Sequence, residues 1–565
     1  MTELPDLNAS PGVRHPASAR RRMLGQHFTP EPLVRLVCGL GINDPAARVL
    51  DPACGDGIFL RGAIARLKQL GREQIAPGQV CGFEIDPAHA AAAGRIPGTS
   101  IETCDFFARA PHPAFHSIVG NFPFVRQELL AQRKKQMLDI VRREWRAEFP
   151  AIRELSGRAD LYLYFFFHAA RFLLPGGRMA VISGNSWLHA SYGRPLRALL
   201  MEKLRLLTVL ESRIEVFFPN TAVNAVVTVI EKSPPASAVS FVQLTRALSD
   251  SASDSLPPSA RVREVSAADL EATDNWNCRL RAPDIYFEVM DRAGDRLVPL
   301  SHLAEIRRGI TTGRNRFFFI EKEKAQQLKL EHDFIAPAIA SLKNVRSLIL
   351  RPDHAAHILL LADRPREDLR GTNVLKYIED FERSGKLPVN SPTLRARRDW
   401  YRLRPRPRAD LVILRFRRER HFSPANPHGL LLGDTVFTAR MRRNRDAPLC
   451  VAAANSTLCH FFAEVTGRDN MGGGFITTYG PEIGAFQFPA MRYLAPFKLE
   501  LAAAFEALAR RDVETMSNEL GREDRRRLDE IVWEALGLPT KLLDELYASF
   551  AELLARRKRH GQMSR

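Results

Sequence analysis

At 565 residues, with 45% hydrophobic and 26% charged side chains, the chain has the make-up of a globular protein of roughly two to four units, not of a disordered one. A net charge of +18 favours a polyanionic partner, because neutralising phosphates releases condensed counterions. The most apolar run, 161–174, is broken by His168 and Arg171 and is too short to span a bilayer. No secretory apolar segment opens the chain, and seven scattered cysteines form no CxxC pair. A membrane protein, a disulfide framework and a zinc site are therefore not expected.

Taken in order, residues up to about 235 read as alternating strands and helices. A strand ends at Val49-Leu50 and runs into Asp51-Pro52-Ala53-Cys54-Gly55-Asp56-Gly57, and 58–70 has helical spacing. Strands follow over 80–85 and 117–119. A long helix from Asp160 is predicted to end at Pro175-Gly176-Gly177, with strands over 178–183 and 223–231. Such alternation predicts a doubly wound α/β sheet. Ser/Pro-rich stretches at 233–235 and 249–259 read as linker. From 300 to 489 the pattern is irregular, with β-like runs such as 316–320, and beyond Pro496 it is helical, ending in Arg556-Arg557-Lys558-Arg559, read as a solvated helix end. The expected division is a catalytic domain over 1–235, a linker with connecting strands over 236–299, an α+β recognition domain over 300–495 and a helical region over 496–565.

A strand, Asp-x-x-x-Gly-x-Gly and a helix make a cofactor loop in the expected context. Leu60 stands where a dinucleotide fold would place its third glycine, and no phosphate-cradling lysine follows. Asp51 suits a ligand carrying an ammonium group, such as the methionine end of S-adenosylmethionine, with Ala53, Gly55 and Gly57 lining the turn. Glu84 and Ile85 end the next strand, where an acid binds ribose hydroxyls. Asp105-Phe106 follows a further strand and is placed to read an adenine ring. Any one of these acids alone reads better as a solvated loop residue; their succession at strand ends does not.

Asn121-Phe122-Pro123-Phe124 closes the apolar run Ser117-Ile118-Val119. The amine of adenine is a poor nucleophile because its lone pair is delocalised into the ring. The Asn121 side-chain oxygen and the Phe122 carbonyl can each accept one N–H. That pulls the nitrogen toward a tetrahedral shape, a preorganised hydrogen-bonding device. Phe124 offers a stacking face for a base that has left the helix. Asn and Pro also favour simple turns, so the cofactor loop upstream is what gives the tetrapeptide weight. No cysteine follows a proline, as cytosine C5 chemistry would need, and neither a zinc-deaminase nor a nuclease motif is found.

These motifs resemble those of the γ-class N6-adenine DNA methyltransferases of the Taq I and Eco57I type, well over 20–232 and more weakly to the end. The resemblance adds Gly25-Gln26-His27-Phe28-Thr29-Pro30, with Phe28 and Thr29 near the methionine end of the cofactor. It also adds Phe218-Pro219, whose aromatic would hold the flipped base together with Phe124. It implies a Rossmann-like class I fold, S-adenosylmethionine as cofactor, no metal and double-stranded DNA as partner. It places the protein in a bacterial cytoplasm, on the nucleoid, working with or without a separate cognate restriction endonuclease; a monomer is the default expectation, since one active site and one recognition half can suffice. Phe122 departs from the family's usual proline, and the rRNA adenine dimethylases are similar in carrying an apolar residue there. An RNA adenine methyltransferase and a catalytically inactive DNA-binding relative thus stay open beside the DNA enzyme.

Eleven arginines lie between Arg395 and Arg420, with Trp400, Tyr401 and Phe416 among them and three acids against them. Arginine supplies forked donors for phosphates and guanine edges. Arg314, Arg397, Arg398, Trp400, Tyr401, Arg415, Arg417 and Arg418 are the expected DNA contacts. The turn-rich loops 309–316 and 471–479 could approach a nucleic-acid backbone or be plain hairpins.

Overall fold

The computed structural model describes residues 29–563 except 124–130, 213, 215–216, 219–223, 249–253, 387–390, 405 and 469–473. The chain forms two compact units, the first closing at Arg281 and the second opening at Ala282. No helix among the described residues is long and apolar enough to cross a membrane.

The first unit is built on a nine-stranded sheet. Its strands are β1 (Val49–Asp51), β2 (Val80–Glu84), β3 (Thr99–Thr103), β4 (Phe115–Asn121), β5 (Leu173–Gly184), β6 (Arg205–Ser212), β7 (Ala225–Glu231), β8 (Ala238–Leu244) and β9 (Arg261–Ser266), in the order 3-2-1-4-5-7-6-8-9. The first five are mutually parallel, while β7 runs antiparallel between β5 and β6. Successive strands step outward from β1 to β3, then return to its other side with β4. The order therefore reverses between β1 and β4, the kind of switch point outside whose carboxyl ends doubly wound sheets bind ligands. Asp51 ends one of these strands and Asn121 the other.

Alternation along the strands feeds two cores. Leu50 and Ile118 join an aromatic core with helix Leu161–Ala170, which is buried on every side. Val49 and Val119 join an aliphatic core with helices Glu31–Gly41 and Ile58–Gln69.

Three expectations shift here. The helix predicted to reach Pro175-Gly176-Gly177 ends at Ala170, and the Pro-Gly-Gly lies inside β5. There the register against β4 slips between Phe115 and Ser117, with Gly176 at φ +75°. The glycine marks a bulge in the strand, which uses the same left-handed backbone as a helix stop. The catalytic boundary expected at 235 moves to Arg281, because β8 and β9 continue the sheet and Ser233-Pro234-Pro235 is only the turn entering β8. The β-like run 316–320 is a helical turn, Asn315–Phe318, followed by a strand.

The second unit holds four small sheets. Strand β10 (Leu297–Pro299) pairs with β20 (Gln487–Pro489). Strands β11 (Ala304–Arg308), β18 (Val436–Met441) and β15 (Leu411–Leu414) form a three-stranded sheet. Strands β12 (Phe319–Glu321), β14 (His357–Leu360), β13 (Ile335–Ile339) and β17 (Leu431–Leu432) form a four-stranded one, and β16 (Phe416–Arg417) pairs with β19 (Ile476–Thr477). The helices Lys498–Ala509, Glu523–Ala535 and Thr540–Met563 belong to this same unit instead of standing apart from 496 onward. Buried polar bonds tie them in: Asp529 accepts the Thr457 N–H at 2.6 Å, and Arg525 donates to the Asn455 carbonyl at 2.7 Å.

Candidate active site

Asp51 is 2% exposed at the end of β1, and its carboxylate accepts the Ala53 N–H at 3.1 Å. Burial pushes this carboxyl up to about 8, with the neighbouring Glu84 charge adding to the rise and the Ala53 bond opposing it. A carboxyl this short of water gains most from a cationic ligand, which restores its ionised form. Above the turn, Gly55 has φ +54° with open space where a side chain would project. Gly57, at φ +88°, starts helix Ile58–Gln69 with no side-chain cap; a methyl group there would meet Ile96 at 2.4 Å. The uncapped helix start, the open turn and the dehydrated acid fit the methionine end of S-adenosylmethionine.

Glu84, buried at the end of β2, accepts the Gly55 N–H at 2.9 Å through one oxygen and the Asp86 N–H at 2.8 Å through the other. It locks the cofactor turn to the next strand while each oxygen keeps a further acceptor position. Ile85 and Ala53 flank it, half-buried. Asp105 caps a helical turn by accepting the Phe107 N–H at 3.1 Å. Its second oxygen accepts from Arg133 at 2.8 Å.

Phe106, expected beside Asp105 at the adenine ring, is a core residue in the structure. It is buried among Phe83, Phe165, Phe172 and His168, with centroids 4.6–5.7 Å away, and supports the turn from within the core. Sequence reading missed Arg133 and His168. The His168 ring bridges the Glu144 carboxylate at 2.9 Å and the Phe106 carbonyl at 3.2 Å, so it braces the same turn. His168 sat in plain view as the polar interruption of the most apolar run.

Asn121 is the last residue of β4. Gly120 before it lets the two strand ends close up, since a Cβ there would lie 2.8 Å from an Asp51 carboxylate oxygen. The Asn121 side-chain nitrogen donates to the buried Thr29 hydroxyl at 3.2 Å. Its side-chain oxygen is buried and has no hydrogen-bond partner among the described residues. An unsatisfied buried carbonyl of this kind is costly, and a ligand N–H would relieve it. Phe122 is 1% exposed, packs edge-on against Phe166 at 5.1 Å and tilted against Phe165 at 5.5 Å, and donates its N–H to the Ile182 carbonyl at 3.0 Å. A proline would forfeit that bond, so the departure is accommodated by the core and extends the sheet pairing by one residue. Pro123 is half-buried. Phe28 and Phe124 lie outside the described residues. Phe218 packs into the aliphatic core.

The arginine-rich segment divides sharply. Tyr401 is 3% exposed and donates to the Arg364 carbonyl at 3.2 Å. Trp400 donates to Glu382 at 2.8 Å and packs on Phe317. Arg397 lies over Phe318 and donates to the Thr311 and Trp400 carbonyls. Arg417 is 2% exposed, bonded to Thr478 at 3.0 Å, and burial pushes its guanidinium down to about 10. Of these four expected DNA contacts, Tyr401 and Arg417 belong to the packed interior, while Trp400 and Arg397 are half-buried against it. An arginine stem packs on aromatic rings as readily as it reaches into water, so composition does not separate the two. Arg398 and Arg418 are exposed, Arg314 and Arg415 half-buried. The tail also departs from expectation: Arg556 and Arg557 are buried, and Arg557 faces Glu464 at 2.8 Å.

Residues 13–261 match the family model of the N-6 DNA methylases, and 284–520 match the C-terminal domain of the Type II methyltransferase M.Eco57I. Among relatives, Type II methyltransferase M.TthHB8I of Thermus thermophilus is 31% identical over 218 residues, covering 38% of this chain and 46% of its own. Type II methyltransferase M.XamI of Xanthomonas campestris pv. amaranthicola is 27% identical, covering 55% and 56%. M.AccI of Acinetobacter calcoaceticus is 23% identical, covering 70% and 72%. The chain thus spans about half the length of the first two. The structure of the Type IIL restriction-modification enzyme MmeI, solved with DNA, superposes with a TM-score of 0.61 at 16% identity, over 96% of this chain and 80% of that one. The fold expected from the sequence, a class I S-adenosylmethionine-dependent methyltransferase domain followed by an α+β unit with terminal helices, is the fold observed.

Proposed function

We propose that this chain, a member of the N-6 DNA methylase family with a second unit of the M.Eco57I C-terminal type, methylates N6 of adenine in double-stranded DNA as the modification enzyme of a restriction-modification system. The observation that carries the reading is the buried, unpartnered Asn121 oxygen at the end of β4, beside the Asp51 turn. S-adenosylmethionine, when bound, supplies an electrophilic methyl group; Asp51, Gly55, Gly57, Glu84 and Asp105 are the residues placed to hold it. Asn121 accepts one N–H of the extruded amine and the Phe122 carbonyl the other, which turns the nitrogen lone pair outward for direct transfer. No covalent intermediate on the enzyme is needed. In this reading the protein acts as a monomer on DNA in a bacterial cytoplasm, and a separate endonuclease of the same specificity is a partner of the system, not of the reaction.

The test is nucleoside mass spectrometry, with long-read modification sequencing, on DNA from a methylation-deficient host expressing the chain. N6-methyladenine at one recurring sequence is expected. Asn121→Ala should lower transfer by about 100-fold or more, in line with loss of a preorganised donor or acceptor, while calorimetric binding of S-adenosylmethionine persists. Near-normal turnover by that variant sinks the assignment. Tritium transfer to ribosomal RNA but not duplex DNA moves it to RNA, the reading that Phe122 left open.

A further inference from the structure

Strands β16 and β19 make a short antiparallel ribbon, with Phe416 opposite Thr477 and Arg417 opposite Ile476. Alternation turns Arg417 inward and leaves Phe416 outward, 40% exposed, one of few large apolar side chains so open among the described residues. The Arg415 guanidinium lies 4.7 Å from the Phe416 ring centre and 5.0 Å from that of Tyr479. Phe475 meets Phe416 edge-on at 5.8 Å, and the Arg418 guanidinium lies 5.3 Å over Phe475. Among the described residues neither Arg415 nor Arg418 has a carboxylate partner.

This ribbon is braced from beneath. Arg557, on helix Thr540–Met563, donates to the carbonyls of Arg417 at 2.9 Å, of Gly474 at 3.1 Å and of Arg418. One buried guanidinium thus bonds β16 and the segment leading into β19 while its Nε faces Glu464. Packing accounts for Arg417 and Arg557. It does not account for an open phenylalanine between two cations with no acid among the described residues to neutralise them. Aromatic faces hold a guanidinium flat and leave its N–H edge free for phosphate oxygens.

We propose that the β16–β19 ribbon is a contact surface for duplex DNA, with Arg415 and Arg418 on backbone phosphates and Phe416 packed on a base face at an opened stacking step. The proposal rests on the DNA reading above and deepens it. Uncompensated cations select a polyanion. An exposed aromatic ring set between such cations can pack on a base face where a stacking step opens.

Filter binding of unmethylated bacteriophage DNA fragments to the full chain, repeated across salt concentrations, tests it. Phe416→Ala should weaken binding about tenfold with an unchanged salt slope, and Phe416→Trp should restore it. Arg418→Ala should lower the slope of log affinity against log salt by about one. Both side chains are exposed, so thermal midpoints should match the parent. If the parent methylates DNA while Phe416→Ala and Arg418→Ala bind with its affinity and slope, the ribbon proposal alone falls. If the parent methylates no DNA, the DNA reading falls and takes the ribbon with it.

Discussion

At the scale of single residues, the arrangement around Asn121 decides which way its amide points. The group that leaves a ring amine oriented must present oxygen, and the Thr29 hydroxyl takes the nitrogen end. Thr29 thus bonds the amide, and the family resemblance also places it by the methionine end of the cofactor; a variant separates the two roles. Thr29→Val should lower the single-turnover rate about tenfold, the scale of one buried hydrogen bond, with S-adenosylmethionine affinity unchanged, and Thr29→Ser should recover it. A loss confined to cofactor affinity would return Thr29 to its expected role.

Asp51 makes a second prediction at this scale. Its folded pKa of about 8 lies above the usual carboxylate range, so the native state without ligand holds a proton that the unfolded chain has already released. The stability this group contributes is full below about pH 4 and is lost as pH rises through about 8. A cationic ligand reverses the preference. Binding of S-adenosylmethionine at pH 7 should thus release a proton, seen as a dependence of the calorimetric heat on buffer ionisation enthalpy, and the effect should fade well above pH 8.

At the scale of elements, the legible parts were those in which local pattern and tertiary role agree. The Asp51 turn, the helix starting at Ile58 and strands β2 and β4 were all visible as an apolar run followed by a loop or by helical spacing. Where a local signal serves two structures, the reading slipped. Pro175-Gly176-Gly177 punctuates a helix or bulges a strand with equal ease, and only the pairing of β5 with β4 and β7 selects the bulge. Ser233-Pro234-Pro235 is as good a tight turn as a linker, and β8 and β9 beyond it show which.

At the scale of the whole molecule, the residues proposed to hold the cofactor and orient the base lie in the first unit, while the second carries buried ion pairs. Arg525 and Glu519 are both fully buried and bonded at 2.8 Å. Glu519 also pairs with Arg511, and its carboxyl is held down to about 2 by these guanidiniums against the cost of burial. Arg525→Ala leaves Glu519 with Arg511 as its remaining guanidinium partner and should destabilise the second unit by about 2 kcal/mol, the scale of a lost charge-assisted hydrogen bond, read by chemical denaturation. S-adenosylmethionine affinity should stay at the parent value; a parallel loss would show that the binding site depends on that unit.

The amino-acid sequence by itself determined the fold class and the order of motifs along the first unit. Both rest on local chemistry: apolar periodicity, a glycine turn after an acid, an asparagine at a strand end. The tertiary structure decided what those residues face. It brought Gly120 against Asp51 across two strands, gave the nitrogen of Asn121 to Thr29 and left its oxygen without a partner among the described residues. It also sorted the arginines into those that brace the interior, Arg417 and Arg557 among them, and those that meet water, such as Arg398 and Arg418. A guanidinium is the same in both settings, and only the groups that long-range folding sets beside it determine whether it holds the protein together or is free to hold something else.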